Sequence, residues 1–445
     1  MTLLPFAAAL PAVALADCLR GGYAAQSVAL AAALLGTGGA VAAGGLGALA
    51  LGPLLTVLAG AVVTAALLAE WNGVRHRAPL YYTLLLALAA VLAFLFSTGD
   101  LVGFYVGFEL VLVPTAAVIG IWGSGGARLR AAFLFFLYTL AGSLPMLGSL
   151  ALLWGLEPGP LLTGVALGEL AGGLQLHLLA GFAVALAVKT PLVPFHTWLF
   201  RAHAQAPVGG SMALAGAVLK LGAWGVALVC LGPLATGWAA LLPLAATLAA
   251  VSLLYSSLAT LRAVDLKAAV ALSSVAHMGT SLLGLAYAEG GAWEGGMLLQ
   301  LAHGLVSPAL FLLVGGVLYE RFGTLLLPYY RGAAGTLPVA VALLFAAALA
   351  NCGTPPTLNW LAELEVVAGV LERSPAAAAL AALGVVAGAA TSLWLASRVG
   401  LGTPSPHLRP LPDLDRRQAA LALLLVRGAL AGGPAAGALM GSLGA

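Results

Sequence analysis

The sequence predicts an all-α polytopic membrane protein of about 14 transmembrane helices, arranged as two inverted five-helix repeats with discontinuous helices 7 and 12. Three observations lead there. Hydrophobic residues form 62% of the 445-residue chain and charged residues 7%, against roughly 25% charged in a soluble domain. Apolar stretches long enough to cross a bilayer follow one another with short connections, which leaves no room for a separate soluble domain. Pro- and Gly-based interruptions recur at a fixed offset of five spans.

In chain order, the spans are expected near 2–17, 25–50, 53–69, 79–97, 101–122, 131–154, 177–199, 207–229, 237–259, 269–288, 297–318, 336–371, 376–397 and 418–436. The apolar start, Met1 to Ala16, has no positive n-region and reads as a retained first span. The last span must accommodate Arg427, which requires snorkelling or a short span.

Charge placement supports the segmentation. Connections after odd-numbered spans carry fourteen basic residues, from Arg20, Arg75 and Arg77 through Arg262, Lys267, Arg331 and Arg398 to Arg416 and Arg417. Connections after even-numbered spans carry Arg373 alone, with acids such as Asp100, Glu157, Glu169, Glu289 and Glu294. The basic loops therefore face cytoplasm or matrix, and both termini face the other side.

Two spans contain helix-breaking pairs: the seventh at Lys189-Thr-Pro191-Leu-Val-Pro194 and the twelfth at Gly353-Thr-Pro355-Pro356. Pro145 in the sixth and Pro308 in the eleventh repeat that offset. An odd offset reverses the orientation of equivalent helices, so 79–229 (spans 4–8) reads as a first repeat and 237–397 (spans 9–13) as its inverted copy. Residues 1–70 and 400–445 supply peripheral helices to what is one transmembrane domain over 1–445. The plainer alternative is that prolines are common in membrane helices.

An ionisable residue inside a span costs about 2.5–3.5 kcal/mol on insertion scales, so those retained are paired, hydrated or functional. They are Glu109, Lys189, Lys220, His277, His303 and Glu363. Such a file suits a proton relay, because burial and mutual coupling bring lysine, histidine and carboxylate affinities together. Glu109 could instead be the structural partner of a lysine. Lys189, beside a broken helix, can meet freed backbone carbonyls, and Lys220 lies too deep to snorkel. Either histidine could be a packing residue, and Glu365 belongs to a different face from Glu363. His196, Arg201, His203 and Gln205 read as interfacial structure, with proton entry or exit as the alternative. Arg262, Asp265 and Lys267 read as a loop charge cluster.

Other classes are excluded. No lysine is preceded by Gly, so there is no phosphate-binding loop. Gly45-Leu-Gly47-Ala-Leu-Ala50 lacks the strand and downstream acid of a dinucleotide site. Cys18, Cys230 and Cys352 are too scattered for a zinc or iron–sulfur centre, and no metal-ligand cluster appears. The net charge of +3 includes no basic cluster on a soluble face, so no nucleic-acid partner is expected.

Six blocks resemble a known family. Phe104-Tyr-Val-Gly-Phe-Glu109-Leu-Val-Leu-Val-Pro114-Thr is the first, and Lys189-Thr-Pro-Leu-Val-Pro-Phe-His-Thr-Trp-Leu-Phe-Arg-Ala-His-Ala-Gln-Ala-Pro207 the second. Gly-Ser-Met-Ala-Leu-Ala-Gly-Ala-Val-Leu-Lys220, Asp265-Leu-Lys to His277-Met, Ala302-His303-Gly and Pro355-Pro-Thr-Leu-Asn-Trp-Leu-Ala-Glu363-Leu complete the set. In order and spacing, from about residue 90 to 370, they resemble the chain 4 antiporter-like membrane-arm subunits of respiratory complex I, NADH:ubiquinone oxidoreductase.

The resemblance implies a fourteen-helix proton-translocating subunit, with Glu109 and Lys189 as a carboxylate–lysine pair, Lys220 and the histidines as central relay, and Glu363 as terminal group. It implies no redox cofactor in this chain, with FMN, iron–sulfur clusters and quinone in other subunits, and other membrane-arm subunits and lipids as partners. Phe200 departs from the family's usual proline, and Gln205 from a frequent glutamate, which puts a loop-carboxylate role there in doubt. The rival readings are a subunit of a multisubunit sodium/proton antiporter and a non-pumping scaffold. The compact length and the blocks point to the mitochondrial inner membrane, with a bacterial plasma membrane as the alternative.

Overall fold

The computed structural model describes residues 24–44, 51–156, 172–231, 234–287, 290–408 and 410–443. The expected first span, Cys18, Arg20, the Gly45–Ala50 stretch, Glu157, Glu169, Glu289 and Arg409 lie outside the described residues.

The described chain is helical, with a single isolated bridge between Asp265 and Leu326 as its only β-type pairing. In order it runs α1 (Ala24–Gly44), α2 (Leu51–Ala69), α3 (Ala78–Ser97), α4 (Leu101–Leu110), α5 (Leu112–Trp122) and α6 (Arg128–Leu156). Next come α7 (Gly172–Lys189), α8 (Thr197–Gln205), α9 (Val208–Cys230), α10 (Ala235–Thr260) and α11 (Leu266–Ala286). It ends with α12 (Gly290–Phe322), α13 (Pro338–Asn351), α14 (Leu358–Arg373), α15 (Pro375–Gly400) and α16 (Arg416–Leu443).

Among the described residues, ten segments are long and apolar enough to cross a membrane alone, so the expected count of fourteen is not itself established. Helices nevertheless occupy the described parts of the places read for the second to the fourteenth spans. Both predicted breaks are present: α7 stops at Lys189 and α8 starts at Thr197, and α13 stops at Asn351 and α14 starts at Leu358. Proline removes the backbone donor that would continue each helix. Pro145 and Pro308 lie inside continuous helices. The turn at Val111 between α4 and α5 was not expected; Pro114 deprives Leu110 of its usual donor just beyond it.

Burial separates the helices by role. Within the best membrane window, α11 and α12 are each 89% buried and α9 is 83% buried, against 28% for α15. The central three carry Lys220, His277 and His303, whereas α6, α10 and α15 turn leucines such as Leu137, Leu258 and Leu383 outward, as lipid-facing helices do. α11 packs along both α10 and α12, and α12 packs closely on α14, which brings the second break beside the centre.

Candidate functional site

Four helices deliver one buried polar file. Lys220 from α9 is fully buried, and its Nζ lies 2.7 Å from His303 Nδ1 on α12. The His303 ring stands 5.8 Å, centroid to centroid, from the ring of His277 on α11. His277 Nδ1 is then 3.3 Å from Glu363 Oε1 on α14.

Local sequence explains why these groups meet. α9 has a π-helical turn over Leu214–Val218, immediately before Lys220, and such insertions rotate the following residues relative to a regular helix. Gly216 in that turn packs directly on Pro308 of α12; a Cβ there would fall 2.7 Å from the proline Cγ. This close approach lies about one turn from the Lys220–His303 contact on each helix. At the second break, Thr357 caps α14 by accepting from the Trp360 N–H, which fixes the first turns that carry Glu363. Gly353 in the break has φ +67°, and a Cβ there would meet Glu363 Oε2 at 2.5 Å, so only glycine leaves the carboxylate its place.

Beside Glu363 is a cavity lined by Ser257, Ser273, His277, Asn351, Thr391 and Ser392, among others. Its volume, about 10 Å³ for the centre of a water-sized sphere, is close to what one water requires. Hydroxyls and an amide add to the polar surroundings of His277 and Glu363, and Asn351 donates to the Ser392 hydroxyl over 2.8 Å.

Glu109 and Lys189 are not bonded to this file or to each other. Lys189 Nζ is buried without a hydrogen-bond partner and sits 4.7 Å from the centroid of the Phe108 ring, with Phe135 at 6.0 Å. The ring faces supply cation–π attraction in place of a carboxylate. Glu109, the residue after Phe108, likewise leaves Oε1 without a partner. The carboxylate–lysine pair is thus open in this structure. Nor does Lys189 hold a carbonyl freed by the break: Trp198 of α8 donates its indole N–H to Val188 O at 3.0 Å, and the Val193 N–H goes to Ser252 Oγ at 2.8 Å.

One expectation about neighbouring charges is corrected. Lys267 is not part of a surface loop cluster: it is 1% exposed, and its Nζ donates to Ala206 O at 2.8 Å. Helix α11 begins at Leu266 with Asp265 as its cap, which turns the lysine inward against the loop before α9. His203 is fully buried within the bundle, stacked 4.3 Å from Phe311, with neither ring nitrogen hydrogen-bonded. His196 packs edge-on to Tyr255.

Sequence reasoning missed Glu70. It follows α2 directly and is 5% exposed; its Oε1 accepts from the Gly209 N–H at 3.1 Å. Burial holds this carboxyl above its ordinary pKa, opposed by that N–H and by Lys267. Its place at the end of an apolar span marks it as a terminal loop residue, and only tertiary packing shows it covered.

Among the described residues, no group of three or more His, Cys, Asp and Glu side chains could hold a metal ion.

The chain as a whole is similar to known proteins. Residues 98–389 match the family described as NADH:quinone oxidoreductase/Mrp antiporter, TM. The chain is 41% identical to NADH-ubiquinone oxidoreductase chain 4 of Mycosarcoma maydis, over 81% of this chain and 74% of that one. It is 40% identical to the chain of the same name from Arabidopsis thaliana, over 79% and 71%. A chain of respiratory complex I from Thermus thermophilus with bound NADH superposes with a TM-score of 0.85 at 28% identity, with both chains fully covered. A chain of the Mrp complex from Dietzia sp. DQ12-45-1b shares the fold, with a TM-score of 0.84 at 20% identity over 100% of this chain and 96% of that one.

Proposed function

The chain belongs to the NADH:quinone oxidoreductase/Mrp antiporter transmembrane family, and from that footing we propose that Glu109, Lys189, Lys220, His303, His277 and Glu363 carry its protons. The protein is a proton-translocating membrane-arm subunit of NADH:ubiquinone oxidoreductase, complex I, and a multi-pass inner-membrane protein. It works among other membrane-arm subunits of that assembly. The eukaryotic relatives support the mitochondrial inner membrane as its location.

The observation that carries the proton reading is the Lys220–His303 contact of 2.7 Å, continued through His277 to Glu363. At that distance one proton is shared: a charged lysine donates to unprotonated Nδ1, or a protonated Nδ1 donates to a neutral lysine. Transfer along the file needs each group to exchange one proton with the next, and the His277–Glu363 contact supplies the last exchange. The open Glu109–Lys189 pair is the movable element. Closing it would set the Glu109 carboxylate against the ammonium that in this structure rests on the Phe108 ring. The interrupted helices at 189–197 and 351–358 support reading 79–229 and 237–397 as inverted repeats. Electron transfer is assigned to other subunits, and this chain holds no redox centre of its own.

The test is NADH:quinone turnover with simultaneous proton pumping in membranes carrying Lys189→Ala, with assembly verified. Joint loss of both activities supports the coupled path. Intact NADH oxidation with loss of sodium/proton exchange would replace it with the antiporter reading.

A further inference from the structure

Three arginines from three separate elements line one cavity at the basic end of the bundle. Arg262 follows α10, Arg331 lies in the turn before α13, and Arg398 is in the last turn of α15. Leu261, Ala263, Val264, Leu327, Pro328 and Trp394 complete the wall of a cavity of about 410 Å³. That lies within the range of roughly 300–1,000 Å³ typical of ligand sites.

The walls are fixed by backbone bonds. Leu266 N–H donates to Leu325 O and Leu327 N–H to Val264 O, both at 2.8 Å, which ties the Leu327 segment to the end of α10. Ser405 N–H donates to Arg331 O at 2.8 Å, and Gly332 N–H to Leu401 O at 3.1 Å, which ties Arg331 to the chain leaving α15. Arg398 lies over the Trp394 ring at 5.7 Å.

The three guanidinium groups form no ion pair with a carboxylate among the described residues. The nearby acid, Asp265, is committed to capping α11 through the Ala268 N–H at 2.8 Å. Basic residues at this face obey the positive-inside rule and need no ligand one by one. Three converging on one fixed cavity, without an acid, leave a concentrated positive charge unanswered.

The apolar surface below the cavity identifies what answers it. Val251, Tyr255, Leu258 and Leu261 form an exposed stripe along α10 that ends at Arg262. Leu383, Val386 and Leu393 are exposed along α15 below Arg398. An acyl chain lies naturally along such a stripe, and arginine presents paired donors that match phosphate oxygens.

We propose that Arg262, Arg331 and Arg398 form a binding site for the phosphate headgroup of an anionic phospholipid of the basic-side leaflet, whose acyl chains run along α10 and α15. The site lies apart from the buried relay and stands independently of the proton reading.

The test uses the assembled complex in vesicles of phosphatidylcholine containing photoactivatable phosphatidylglycerol with the reactive group in its acyl chain. Peptide mapping is expected to find label on residues 251–261 and 383–393, decreased several-fold in Arg262→Gln/Arg331→Gln/Arg398→Gln and decreased less in the corresponding triple lysine variant, which keeps the charge and loses the paired donors. Equal labelling by photoactivatable phosphatidylcholine, or absence of label from both stretches in the wild-type complex, overturns the proposal. Suppression by excess inorganic phosphate, with phosphatidylglycerol unable to compete, would assign the site to a soluble anion and also overturn it. The wild-type labelling arms decide the matter even where the triple variant fails to assemble.

Discussion

Lys220 Nζ and His303 Nδ1 are 2.7 Å apart inside the bundle, and each side chain is 1% exposed or less. Two cationic groups cannot both stay charged at that distance in a low-dielectric interior, so the pair holds at most one excess proton and offers two places for it. Its second outlet, His303 Nε2, has no hydrogen-bond partner and belongs to the ring that faces His277.

Replacing Lys220 by arginine separates charge from proton exchange. Arginine keeps the positive charge and does not deprotonate in proteins. Lys220→Arg is expected to assemble yet lower proton pumping on the order of a hundredfold, the lower range of what a positioned acid–base group contributes. Pumping measured in vesicles against complex content checks this; near-normal pumping would remove Lys220 from the path.

The second break is set by one glycine. Gly353→Ala places a methyl 2.5 Å from Glu363 Oε2 and forces a φ of +67° on a residue with a side chain. The conformational term alone is about 1–2 kcal/mol. Pumping is expected to fall as in Glu363→Gln, and combining the two substitutions should add little, since both act on the same carboxylate.

At the first break, Trp198→Phe removes the indole donor of Val188 O while keeping an aromatic ring beside Phe135. A buried carbonyl left unpaired costs about 1–3 kcal/mol. Faster thermal inactivation of the complex is expected, with a larger loss of pumping than of assembly, because Lys189 adjoins that carbonyl. Unchanged inactivation rates would mean the carbonyl finds another donor.

Glu70 gives a pH signature distinct from the relay. Its folded-state pKa is raised by burial, so its neutral form is the one the fold favours. The associated stability is fully present below the unfolded-state pKa and is lost as pH rises through the raised folded value. Glu70→Gln should therefore inactivate more slowly than the parent above that value, and the difference should vanish in acid. A difference that grows toward low pH would reverse the assignment.

The sequence alone determined the membrane class, the places of most spans and both helix breaks, and it singled out the six residues now proposed as a relay. These are statements about single residues set against a solvent: a long apolar run has one stable environment, proline cannot continue a helix, and a charge retained in an apolar run has to be explained where it stands. Tertiary structure alone decided which of those groups touch. The π turn before Lys220 and the contact of Gly216 with Pro308 bring Lys220 to His303, and no residue pattern marks the register of one helix against another. Packing likewise buried Glu70, His203 and Lys267, which adjoin loops in sequence, and left Lys189 on an aromatic ring instead of Glu109. Sequence specifies what each helix can bury. Which buried groups become neighbours depends on helix rotation and depth, set by many small contacts acting together.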